Sequence, residues 1–156
     1  MLAAMDAPGN ALSVHADGRR ARATIEAARQ SVARATGANA DDVIFTSGGS
    51  ESNALALRGA IHGAAASGQR ITRLIISAIE HESVRATAAL CEETVPGLRA
   101  LVCPVNMAGV IDLVELRRML SEGKGRALVS LMAATMRPAW FSRSRRLPRS
   151  RIRMAR

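Results

Sequence analysis

The chain has 156 residues, of which 48% are hydrophobic and 22% are charged. That length fits one domain, and this apolar fraction excludes a wholly disordered chain. The formal net charge of +9 is unevenly distributed, because eight arginines and no acidic residue lie in residues 136–156. The rest of the chain is nearly neutral, so a basic, nucleic-acid-binding character can be expected of the tail alone.

Other features of the composition argue against metal, disulfide and membrane chemistry. Cys91 and Cys103 have neither CxxC spacing nor a nearby histidine cluster, so we expect two reduced core thiols and no metal site. No apolar run reaches the roughly 18 residues of a bilayer span. The first residues lack the basic flank of a signal peptide, and we expect a cytoplasmic protein without membrane contact.

Periodicity predicts an α/β fold. Small apolar residues at helical spacing predict a first helix from Arg19 to about Ala35, ended by Gly37. Apolar runs without polar alternation predict four strands, at 42–46, 74–77, 100–105 and 127–131. Three further helices are predicted, at 50–66, 83–93 and 112–120, the last one capped by Asp112. Strands of this kind, separated by helices, indicate a mainly parallel sheet with helices on both faces.

The first candidate site is the turn between the predicted strand at 42–46 and the next helix. It reads Ser47-Gly48-Gly49-Ser50-Glu51. A glycine turn that begins a helix presents free backbone N–H groups and a positive dipole end to an anion such as a phosphate, and Ser50 adds a hydroxyl. A tight strand-to-helix connection requires glycine in any case, so the turn alone does not decide between a site and a plain connection.

The second candidate site follows the predicted strand at 74–77, in Glu80-His81-Glu82-Ser83-Val84. It lies beyond the carboxyl end of that strand, the edge at which open α/β sheets bind ligands. An imidazole at His81 could stack on a flat cofactor ring near the glycine turn. A plain surface-loop histidine is the alternative interpretation of the same residue.

A third segment, Gly9 to Arg19, is a glycine-bracketed loop before the first helix. In this order, the three segments resemble the cysteine desulfurase branch of the class V aminotransferase-like enzymes, which depend on pyridoxal 5′-phosphate (PLP). The matching motifs are Gly-Asn-x-x-Ser-x-His-x-x-Gly-Arg, Phe-Thr-Ser-Gly-Gly-Ser-Glu-Ser-Asn and Glu-His-x-Ser-Val. The likeness runs almost continuously from residue 1 to about residue 134.

The resemblance implies a fold, a reaction and three site residues. It implies part of the large domain of a type I PLP-dependent transferase, from a homodimeric enzyme that passes cysteine sulfur to an acceptor protein, as in iron–sulfur cluster assembly. It places Gly49 and Ser50 on the PLP phosphate, with Ser50 in place of the usual threonine, and His81 against the pyridine ring. Ala11, Leu12 and Ala54 depart from the family pattern.

Two parts of the family's machinery are absent from the sequence. The family's Schiff-base lysine lies in Ser-x-His-Lys-x-x-Gly-Pro, whereas the single lysine here is Lys124, in a glycine turn. Neither Cys91 nor Cys103 matches the sulfur-accepting cysteine. We therefore expect an amino-terminal fragment that is inactive alone, and one that is aggregation-prone because four strands of a seven-stranded sheet leave an apolar strand without a neighbour.

The tail is predicted to be an Arg-rich, disordered segment at 135–156, separate from the domain at 1–134. A one-base shift near Ala134 turns a permitted coding of residues 134–141 into Asn-Asn-Glu-Thr-Gly-Val-Val, the family's continuation, which suggests a frame-shifted tail. Two alternatives stay open. One is a remnant of another class V enzyme such as selenocysteine lyase, and the other is a small basic nucleic-acid-binding protein.

Overall fold

The computed structural model describes residues 9–133. Its contacts divide into two compact units, the first ending at Thr46 and the second beginning at Ser47. Each unit is described by itself. The predicted tail at 135–156 lies outside the described residues, and the predicted domain boundary at residue 134 stays a prediction.

The first unit contains one long helix, α1, at Ala16–Thr36. It ends at Gly37, which adopts a left-handed conformation with φ of 71° and donates its N–H to the carbonyl of Ala33. A residue without a Cβ adopts this conformation most readily, which explains why the helix stops there. The predicted helix and its glycine terminator are both confirmed.

The predicted strand at 42–46 is wrong. A short 3-10 turn occupies Ala40–Asp42, and the four residues that follow belong to neither helix nor strand. Ile44 and Phe45 remain 66% and 49% exposed, although the guanidinium of Arg29 lies 5.1 Å from the Phe45 ring centroid. An apolar run becomes a strand only when a neighbouring strand pairs with it, and the described residues of the first unit include no strand.

The second unit alternates helices with parallel strands, as the sequence predicts. Its elements, in chain order, are α2 at Gly49–Ala66, β1 at Ile71–Ser77, α3 at Glu82–Thr94, β2 at Arg99–Cys103, α4 at Leu113–Ser121 and β3 at Arg126–Ser130. The strand order is β2-β1-β3, with Ile75 opposite both Leu101 and Val129. Three of the four predicted strands are therefore present, and the α/β class is confirmed.

Helices cover both faces of the sheet. Leu74 and Ile76 of β1 point to one face, where they pack with residues of α2 and α3. Ile75 points to the other face and packs with Leu116 of α4. Because β1 is central, its apolar residues are buried on both sides, which accounts for a run without polar alternation.

The predicted Asp112 cap is also confirmed. The Asp112 carboxylate accepts hydrogen bonds from the N–H groups of Val114 and Glu115, at 2.9 and 3.0 Å, and so begins α4 as a helix cap. The outer strand β2 leaves Val102 55% exposed. An exposed apolar strand edge favours pairing with other chains, and the expected aggregation of the isolated chain stays a prediction.

Candidate functional site

The first part of the site is the start of α2. Gly48 is the helix cap, with an extended backbone, and Gly49 is the first helical residue. The N–H groups of a helix's first turn have no partner within the helix. A Cβ built on either glycine would have no other heavy atom within 4 Å. Gly49, the first helical residue, therefore leaves space from which an anion can approach.

Of the polar side chains in this turn, Glu51 stabilises the helix start, whereas Ser50 has a hydroxyl that can bind a ligand. Glu51 accepts hydrogen bonds from the backbone N–H and the hydroxyl of Ser47, at 2.7 and 2.6 Å. These bonds, that from the hydroxyl above all, lower the pKa of the Glu51 carboxyl. Ser50 is exposed, and its hydroxyl has no hydrogen-bond partner among residues 9–133. A hydroxyl donor thus lies beside the open N–H groups.

The second part of the site is His81, which caps α3. Its Nδ1 lies 3.2 Å from the backbone nitrogen of Ser83 and 2.8 Å from the Ser83 hydroxyl. That hydroxyl lies 2.9 Å from Nδ2 of Asn53, which belongs to α2. Asn53 follows Gly49 by four residues and Ser50 by three, so it lies on the same side of the helix, one turn further along. The side chains of Asn53 and Ser83 therefore connect His81 to α2, one turn beyond the glycine turn.

The loop that carries His81 is held by all three strands. One oxygen of the Glu80 carboxylate accepts hydrogen bonds from the Ser77 hydroxyl at 2.9 Å and from the Met132 backbone at 2.6 Å. The N–H of Ala78 donates to the carbonyl of Cys103 at 3.0 Å. Ser77 and Cys103 end β1 and β2, and Met132 lies just beyond β3. His81 therefore follows a loop that is fixed at the carboxyl edge of the sheet.

The single lysine lies at the other edge. The carbonyl of Lys124 accepts a hydrogen bond from Thr72, near the start of β1, at 2.8 Å. Ser77, at the end of the same strand, is five residues further, or about 16 Å at roughly 3.3 Å per residue. Lys124 therefore lies at the edge of the sheet opposite to the loop of His81.

The cysteines are interior groups. Cys91 and Cys103 are both buried and unpaired. Burial is the main reason why the pKa of each thiol is raised, so both stay protonated at neutral pH. Residues 9–133 contain no group of three or more His, Cys, Asp or Glu side chains arranged to hold a metal ion.

Three contributors to the site were given no role by the sequence interpretation. Asn53 and Ser83 lie inside motifs that were interpreted only for Gly49, Ser50 and His81. Glu80 lies directly before His81 and was likewise given no role. The sequence did place Ser83 just after the strand at 74–77, at the carboxyl edge of the sheet, and this position was the signal that could have identified it. Sequence patterns do not show which polar pairs meet across 30 residues, so the Asn53–Ser83 bond required coordinates.

A comparison with protein-family models gives a match to the class-V aminotransferases over residues 3–136. The chain belongs to this family. Among curated proteins it is similar to the cysteine desulfurase IscS of Dictyoglomus turgidum, with 37% identity over 126 residues, and to a cysteine desulfurase of Rhodobacter capsulatus, with 39% identity over 130 residues. These alignments cover 81% and 83% of this chain, and 30% and 32% of the relatives.

Solved structures give the same result. DndA from Streptomyces lividans superposes with a TM-score of 0.70 at 33% identity, covering 86% of this chain and 36% of that one. A NifS-like protein superposes with a TM-score of 0.68 at 31% identity, covering 81% and 33%. The chain thus spans about a third of the length of these relatives. The partial PLP-transferase fold and the desulfurase resemblance predicted from the sequence are confirmed.

The helices of residues 9–133 include none that is both long and apolar enough to cross a bilayer.

Proposed function

We propose that this chain carries the phosphate-binding and ring-stacking part of a PLP-dependent cysteine desulfurase. One observation supports this most strongly: Asn53, one turn beyond Gly49 on α2, bonds to Ser83, and Ser83 bonds to the imidazole of His81 at the carboxyl edge of a parallel sheet. This arrangement combines groups suited to an anion with a flat ring beside them, as a phosphorylated aromatic cofactor requires.

Each residue has a definite task in this proposal. The N–H groups of Gly49 and Ser50 donate to the phosphate, and the positive end of the α2 dipole stabilises its charge. The Ser50 hydroxyl adds a further hydrogen bond. His81 would hold the cofactor ring by stacking and so fix its orientation. When bound, PLP serves as the electron sink that the cleavage of cysteine needs.

We further propose that the 156-residue chain does not complete this reaction. The Schiff-base step needs an amine beside the ring, and Lys124 is near the opposite sheet edge. The sulfur-accepting step needs an accessible thiolate, and both cysteines are buried with a raised pKa. A desulfurase homodimer with a sulfur-acceptor protein is the proposed setting for the whole enzyme. The expected cytoplasmic location stays a prediction, since one relative is named as mitosomal.

The proposal is tested by the binding of pyridoxine 5′-phosphate, which lacks the aldehyde of PLP and so cannot condense with Lys124. We expect saturable binding by the full chain that weakens about 10-fold in Ser50→Ala and in His81→Ala. Val114→Ala, at an exposed position on α4, is the control and leaves binding unchanged. Equal binding by all four proteins would refute the site.

The inactivity is tested separately. We expect sulfide release from cysteine, in the presence of PLP and the chain, to equal that of free PLP. Release well above that level, and lost in Ser50→Ala or His81→Ala, would show that the chain is a complete catalyst.

Another class V activity, selenocysteine lyase for example, remains the second candidate, because the same phosphate turn and histidine would serve it. Parallel assays with cysteine and selenocysteine on the complete enzyme distinguish the two.

A further inference from the structure

The hydrogen bonds that lead to His81 can have only one donor-to-acceptor direction. Ser83 presents two groups to Nδ1 of His81, its backbone N–H at 3.2 Å and its hydroxyl at 2.8 Å. A backbone N–H can only donate. Nδ1 must therefore be the acceptor, and the neutral imidazole carries its proton on Nε2.

The same logic extends to Asn53. Because Nδ1 is an acceptor, the Ser83 hydroxyl donates to it and keeps its lone pairs for another donor. The Asn53 amide nitrogen, 2.9 Å from the Ser83 oxygen, is that donor. The result is a continuous series in which Asn53 donates to Ser83 and Ser83 donates to His81. Asn53 and Ser83 are half-buried and His81 is exposed, so the series runs outward from the contact between α2 and α3.

The remaining ring group is open. Within residues 9–133, no acceptor lies within hydrogen-bonding distance of Nε2 of His81. Two donors on Nδ1 fix the orientation of the ring, and this leaves its face and its Nε2–H for a ligand. A histidine held only by the backbone N–H of Ser83, without the Ser83 hydroxyl, would lose one of those two constraints.

We propose that Asn53 and Ser83 are positioning residues that hold the His81 imidazole in one orientation and tautomer, and thereby make the site favour a phosphate that carries a flat ring over bare phosphate. This inference rests on the proposed function for the identity of the ligand. It adds that the ring preference originates in α2 and α3 and not in His81 alone. Neither positioning residue contacts the ligand.

The test compares two probes, pyridoxine 5′-phosphate and inorganic phosphate, by calorimetry on the full chain. In Ser83→Ala and Asn53→Leu we expect affinity for pyridoxine 5′-phosphate to fall about 5- to 10-fold, the usual effect of one lost hydrogen bond. Affinity for inorganic phosphate stays within about 2-fold, because the glycine turn is untouched. Ser83→Thr keeps the hydroxyl and restores the preference, whereas Ser50→Ala weakens both probes.

A second readout needs no ligand. Long-range 1H–15N spectra of the wild-type chain should show His81 with a protonated Nε2 and a bare Nδ1. In Ser83→Ala the Nδ1 resonance should move toward that of a nitrogen with weaker hydrogen bonding, and Ser83→Thr should restore it. A general loss of packing would not be reversed by a larger side chain in this way.

The possible outcomes distinguish a failure of the positioning role from a failure of the proposed function. If Ser50→Ala weakens both probes but Ser83→Ala and Asn53→Leu leave their ratio unchanged, the positioning role is wrong and the proposed function stands. If the wild-type chain binds neither probe, the proposed function is wrong. A proton on Nδ1 of His81 in the wild-type chain overturns the positioning role without any variant.

Discussion

The two ends of β1 use polar side chains in opposite ways. At the amino end, Arg73 is buried, and its guanidinium donates to the carbonyls of Met119, Leu120 and Gly125. At the carboxyl end, Glu80 anchors a loop whose last residue, His81, remains exposed. At the amino end both terminal nitrogens of the Arg73 guanidinium donate within the protein, and only its buried Nε has no partner among residues 9–133. The carboxyl end leaves exposed donors at Ser50 and His81.

From this difference we infer that the amino end of the sheet serves stability, and we propose that the carboxyl end serves binding. Arg73 supplies a cation and donors to the last carbonyls of α4, which have no partners within the helix. The first N–H groups of α2 also have no partners within their helix, but here Gly49 and Ser50 are exposed. We therefore expect changes at the amino end to affect folding and changes at the carboxyl end to affect binding.

The largest expected effect is that of Arg73→Met. It removes the hydrogen bonds to three carbonyls around the end of α4, and we expect the free energy of unfolding to fall by about 2–4 kcal/mol. Arg99 pairs with Arg73 in the neighbouring strand but is exposed, and within the described residues its ion pair is with Glu92. Arg99→Met is the matched control, with a loss below about 1 kcal/mol. Urea denaturation measures both, and equal losses would contradict the role of Arg73.

Gly123→Ala should have the next largest effect. A Cβ at this position would overlap the Arg73 guanidinium, which is held by its carbonyl partners and cannot move freely. Overpacking of this kind lowers stability by about 1–3 kcal/mol. Thermal unfolding would show it as a lower midpoint. An unchanged midpoint would mean that Arg73 moves aside without loss.

The substitution Gly49→Ala should instead leave stability unchanged and weaken binding. A Cβ there meets open space, and alanine is the better helix former, so stability should not fall. The methyl group would stand on the surface that we assign to the phosphate, and binding of pyridoxine 5′-phosphate should weaken about 10-fold or more. Calorimetry beside the thermal scan tests this. If Gly49→Ala is less stable but binds normally, the carboxyl end of the sheet serves stability and not binding, which would contradict our assignment.

The smallest expected effect is a pH dependence at the start of α2. The bonds from Ser47 lower the pKa of Glu51 in the folded chain, so its contribution to folding is complete above the usual glutamate range. That contribution is lost as the pH falls through the lowered value. Amide exchange of the first turn should speed up over that acidic window in the wild-type chain. Glu51→Gln should not show this acid transition, and its persistence there would point to another group.

Much of this organisation could be predicted from sequence, because local signals act locally. Gly37 ends its helix because a residue without a Cβ adopts the left-handed backbone readily, and Asp112 begins its helix because its carboxylate caps it. The apolar run around Ile75 becomes the central strand. The segment at 42–46 has the same apolar character but forms no strand, since pairing depends on a partner that composition does not reveal. For the site, motifs predicted Gly49, Ser50 and His81, whose binding roles still await measurement.

The measurement closest to the central claim is the map of backbone amide shifts when pyridoxine 5′-phosphate is added to the full chain. We expect the largest changes at Gly49, Ser50 and His81, and no response from Arg73 and Gly123 at the other edge. Largest changes at Arg73, Gly123 or Lys124, or no localised change at saturation, would contradict a ligand site at the carboxyl edge of the sheet.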